Sequence, residues 1–103
     1  MVVIINMEKS YYEKIKDRSI FGESLICDEG FIHACFKEQF HLIAPRFKGS
    51  EENYIVMEID TDKLISEVRL EFSSSLKQDF PHIYGRINKE AVVDVISMDK
   101  FIQ

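Results

Sequence analysis

The chain opens on an uninterrupted β-branched run, Val2 to Ile5, the mark of a strand covered on both faces. From Glu8 to about Asp17 the composition turns helical, with Tyr11 and Ile15 four residues apart and Asn6 placed as a cap. A loop is expected from Ser19 to Gly30, followed by a short strand at Phe31 to His33 within "GFIHAC". Between Phe36 and Phe47, the residues Phe36, Phe40, Ile43, Ala44 and Phe47 fall at i, i+4, i+7, i+8 and i+11, which predicts a helix with an apolar stripe. Gln39 and Arg46, seven apart, would then share the opposite side and face one pocket. Pro45 removes a hydrogen bond and crowds the carbonyl of His41, so the last turn should kink.

Alternation dominates the second half. "NYIVMEID" predicts a strand over Tyr54 to Ile59, "TDKLI" a single helical turn begun at Asp60 or Thr61, and "EVRLEF" a half-buried strand over Val68 to Phe72. After the polar loop "SSSLKQ" comes "DFPHIYGRI", in which period-two geometry projects Phe80, His82 and Tyr84 to one side and Ile83 to the other. Pro81 cannot donate to a ladder, so it should lie at a sheet edge or strand start, and Gly85 allows a bend after it. "AVVDVISM" supplies a closing strand over Val92 to Met98. About six short strands, one main helix and one shorter helix make an α+β class, in one domain spanning residues 1–103.

Composition narrows the functional classes. With 103 residues and 46% hydrophobic content, one packed core is attainable. The net charge of −5, and arginines scattered at Arg18, Arg46, Arg69 and Arg86, make duplex nucleic acid an unlikely partner, because phosphate-backbone binding needs clustered positive charge. The first apolar run is too short for a membrane span and lacks a preceding basic region, so a soluble, cytoplasmic protein is expected. Cys27 and Cys35 do not make a disulfide framework. Together with His33 and His41 they offer zinc-type ligands, yet the spacing matches no short-knuckle pattern, and no metal site is expected.

The chemistry that remains is a shortlist. His33 and His82 each sit in an apolar strand, where a lone histidine most often has a structural hydrogen bond. Two such strands, joined by Tyr84, Gln39 and Arg46 at a cleft, would suit a ribose or a phosphate. Glu71 is either the partner of Arg69 in a solvated ion pair or a site carboxylate.

The series "SLICDEGFIHACFKEQFHLIAPRF", "IVMEID", "VRLEF", "FPHIYG" and "INKEAVVDV" resembles the bacterial family known as domain of unknown function 952. The resemblance implies an ADP-ribosyltransferase-like fold, a small mixed split sheet with a cleft that in characterised relatives of that fold holds NAD. It marks Ser24, Gly30, His33, Gln39, Arg46, Glu71, His82, Tyr84 and Gly85 as matching positions. Two departures stand out: Ile4 occupies the place of a first-strand histidine, and Cys35 that of a serine. The resemblance implies ligand-binding roles for Ser24, His33, Gln39, Arg46 and Tyr84, catalytic roles for Glu71 and His82, and NAD as the possible cofactor. Three readings stay open: a nucleotide-like or other small-ligand binding module, an NAD-dependent ADP-ribosyltransferase or NAD glycohydrolase, and a non-catalytic interaction domain.

Overall fold

In the computed structural model, which describes residues 1–102, eight strands form two three-stranded sheets and a two-stranded ribbon. The first sheet has strand order β1 (Val2–Glu8), β4 (Tyr54–Asp60), β8 (Val92–Ser97), and the second β3 (Ile32–His33), β6 (Gln78–Tyr84), β5 (Glu67–Ser73). The ribbon pairs β2 (Ile20–Phe21) with β7 (Ile87–Asn88). Every pairing is antiparallel, so the split sheet expected from the resemblance is present as a split, but not as a mixed one.

The apolar run of β1 is covered on both faces, as its composition implied. Val3, Ile5 and Met7 join Ile55, Met57 and Ile59 of β4 in one core, completed by Ile32 and Ile83. Ile4 and Val56 point the other way, into a second core with Cys35, Phe40, Phe80 and Met98. Burying both faces removes from water the large apolar area that drives folding. Ile4 also exchanges two backbone hydrogen bonds with Cys35, at 2.7 and 2.9 Å, which hinges the two large sheets together at a single point.

Helices are short. α1 (Lys9–Ile15) seats Ile15 in the first core, and its N-cap is Glu8 rather than Asn6, because β1 continues through Asn6. The main helix expected over Phe36 to Phe47 is instead three pieces: a 3₁₀ turn at Lys37–Gln39, α2 (Phe40–Ile43) and a second 3₁₀ turn at Ala44–Phe47. Pro45 near the start of the last piece lacks an N–H, and 3₁₀ turns advance by three residues, so the 3.6-residue register is lost. The loop expected from Ser19 to Gly30 contains β2, and Met98 leaves the closing strand to begin α3 (Met98–Phe101). The turn after β4 forms as read, with Asp60 accepting the Asp62 N–H at 3.0 Å.

Pro81 lies in the middle of a central strand, opposite Leu70, and not at an edge. β3 is two residues long and ends opposite His82, so the ladder beside Pro81 is one-sided and a residue without an N–H is accommodated. Gly85 follows at φ +144, where an added Cβ would lie 2.5 Å from the Ser66 hydroxyl oxygen. No helix among the described residues is long and apolar enough to cross a membrane.

Candidate functional site

The two large sheets part at the Ile4–Cys35 bridge, and an open cleft of about 510 Å³ lies there. That is the size of ordinary small-molecule sites. Ile4, Ala34, Cys35 and Phe80 form apolar walls, and Ile43, Arg46 and Phe47 border it from the broken helical segment. The turn Ser73 to Leu76 closes the far side.

His33 and His82 both line this cleft. They are directly opposite residues on β3 and β6, which places their side chains on the same sheet face, with ring centroids 5.7 Å apart. Phe31, two residues before His33 and so on the same face, stacks flat on His82 at 3.8 Å. Phe31 is a further residue of this face, and its i, i+2 relation to His33 is its signal in the sequence.

Glu71 does not pair with Arg69, which binds Glu67 at 3.0 Å instead. One oxygen of Glu71 receives hydrogen bonds from the Tyr84 hydroxyl and from His82 Nδ1, the latter at 2.8 Å. These two bonds, Tyr84 first and His82 second, hold the Glu71 carboxyl below its ordinary range, and the Tyr84 phenol is raised because it donates to Glu71. An ionised carboxylate only accepts, so His82 carries a hydrogen on Nδ1. Its Nε2 has no protein partner among the described residues.

His33, exposed at the cleft wall, is pushed below the usual histidine value by partial desolvation there first, then by His82 and by the Arg46 guanidinium. Arg46 is exposed and has no carboxylate partner among the described residues. Burial raises the Cys35 thiol to about 12, so it is a wall and not a nucleophile.

The remaining shortlist residues lie elsewhere. Gln39 is buried with its amide fully engaged: Oε1 accepts the Phe36 N–H at 3.0 Å, and Nε2 donates to Gln78 and to the Asp79 carbonyl. It is a structural clasp apart from Arg46, because the broken helix separates their directions. Ser24 is exposed in a 3₁₀ turn at Glu23–Leu25, away from the cleft lining. Tyr84 lies outside the lining, its ring capped by the Arg69 guanidinium at 4.3 Å. Asn6, inside β1, is not a helix cap. It lines the cleft, and its buried Oδ1 has no hydrogen-bond partner. Among the described residues no three His, Cys, Asp or Glu side chains are grouped to hold a metal.

The sequence pattern of the family described as "Protein of unknown function (DUF952)" matches residues 6–95. The chain belongs to this family. Two solved structures are similar in fold across their whole length and that of this chain: protein CC0527 from Caulobacter crescentus, at 17% identity and a TM-score of 0.77, and a double mutant of the same protein, at 16% and 0.76. No curated protein matches.

Proposed function

We propose that the cleft binds a small anionic, nucleotide-like ligand. The observation that carries this reading is charge segregation. The chain has 18 acidic residues against 13 lysines and arginines, yet the cleft is lined by Arg46, His33 and His82 and by no carboxylate. Arg46 is free to take a phosphate through paired N–H donors. His33 and His82 add directional hydrogen bonds, and the orphaned Asn6 oxygen asks for a hydroxyl or amide donor, since a buried acceptor left unpaired costs stability. Phosphate and sugar hydroxyls together describe a nucleotide or sugar phosphate.

The test is a thermal-shift panel of nucleotides, sugar phosphates, inorganic phosphate and uncharged sugars. Phosphate-bearing compounds should raise the melting point, by the equivalent of roughly 2.7 kcal/mol at a hundredfold excess over Kd. Arg46→Ala should abolish the shift while leaving the unliganded melting point nearly unchanged, because the side chain is exposed. Equal stabilisation by uncharged sugars, or by nothing in the panel, would overturn the reading. The ADP-ribosyltransferase-like alternative implied by the family resemblance would put NAD in such a cleft; a separate incubation with NAD, assayed for free nicotinamide, tests it.

A further inference from the structure

We infer that the cleft hydrolyses small phosphodiesters, with His33 as general base and His82 as general acid. This rests on the anionic-ligand reading above and assigns that site a reaction. Three arrangements support it. The two imidazoles are cross-strand neighbours with ring centroids 5.7 Å apart and border one cavity, so one tetrahedral group seated in the cleft against both rings is within reach of each. Their immediate partners differ, one imidazole being held through Nδ1 by a carboxylate and the other bordering the cleft beside a guanidinium, and that arrangement assigns the roles. His82 faces the Glu71 carboxylate, itself fixed by the Tyr84 hydroxyl with Arg69 close by, whereas His33 faces the Arg46 guanidinium and His82, with Glu29 the more distant acid on the loop before β3. Finally, Arg46 supplies a fixed positive charge for the phosphoryl oxygens as charge builds on them.

The step balances without a metal, an oxidant or a second substrate other than water. His33 takes a proton from water as the water oxygen bonds to phosphorus. The bond from phosphorus to the leaving alcohol breaks, and that oxygen takes the Nε2 proton of His82. The products are a phosphomonoester and an alcohol, and solvent returns the proton from His33 to His82. For a 2′,3′-cyclic nucleotide, the ring P–O bond opens to give one nucleoside monophosphate. Glu71 touches no substrate in this scheme; it is a positioning residue that keeps Nδ1–H engaged and Nε2 directed to the cleft.

The experiment incubates the full chain with a 2′,3′-cyclic nucleotide and, separately, with bis(4-nitrophenyl) phosphate, whose leaving group departs without a proton. The cyclic substrate should turn over with a bell-shaped pH profile, and His33→Ala and His82→Ala should each lower its turnover about 100-fold or more. With the nitrophenyl ester, His33→Ala should remain severe while His82→Ala and Glu71→Gln cost far less, a split that a structural role for His82 would not produce. Melting curves accompany each variant, and if His82→Ala unfolds through loss of its stack on Phe31, the exposed His33 and the Glu71→Gln variant carry the test. Ligand-induced stabilisation without turnover overturns the catalytic inference and leaves the binding reading standing. Absence of both overturns the two together, and turnover unchanged in His33→Ala overturns the assignment.

Discussion

At the scale of single residues, the cleft is organised by who competes for each polar group. Arg69 is drawn to Glu67 on its own strand and to the face of Tyr84, which frees Glu71 to hold His82. Glu71 sits low relative to its unfolded value, so its contribution to stability is present above the ordinary carboxylate pKa of 4.5 and is lost as the pH falls through its folded pKa. The melting point of Glu71→Gln should therefore trail that of the parent above that pH and converge with it in acid, read by thermal melts across a pH series. His33 is depressed in part by Arg46, so in Arg46→Ala its NMR titration should move up toward the ordinary histidine range. An unmoved His33 midpoint would mean that the guanidinium does not share its space.

Among the elements, the segment from Phe36 to Phe47 departs furthest from its periodicity. The apolar stripe is real, since Phe40 is buried and Ile43, Ala44 and Phe47 pack on the second core. What the stripe does not reveal is that Gln39 turns inward, where it closes its own turn by accepting the Phe36 N–H and ties the start of the segment to the start of β6 through two further hydrogen bonds. Gln39→Ala leaves the Phe36 N–H and the Asp79 carbonyl without this partner, and should destabilise the protein by about 1–3 kcal/mol in denaturant titration. A cost within 0.5 kcal/mol, typical of a plain surface substitution, would deny the clasp. Because this segment carries Arg46, the same variant should also weaken phosphate-dependent stabilisation.

For the molecule as a whole, two cores share one sheet. β1 and β4 send alternate side chains to opposite sides, so neither core can melt while the other keeps its strands. Met57→Ala, in the first core, should cost about 2–5 kcal/mol. It should lower the same single transition that Val56→Ala, in the second core, lowers. Two separable transitions in calorimetry would show that the cores are independent.

The sequence by itself determined the α+β class, the five strands whose alternation or β-branched runs span several residues, and the shared face of His82 and Tyr84. Those follow from local periodicity, which the backbone geometry of a strand enforces wherever it lies. It also marked His33, Arg46 and His82 as candidates, but not that they border one cleft. That depends on β3 pairing with β6 across nearly fifty residues, a register set by burial of Ile32 and Ile83. The break of the 36–47 helix combines the local effect of Pro45 with the inward turn of Gln39 toward β6. Only the tertiary structure decided the two-residue ribbon and the tolerance of Pro81 in a central strand, since each is settled by neighbours distant in sequence. The same holds for the exchange of Arg69 for His82 at Glu71. Charge partners on a sheet are chosen across strands as readily as along them, and the pairing of β5 with β6 that lets Tyr84 and His82 reach one Glu71 oxygen is a cross-strand register and not a local pattern.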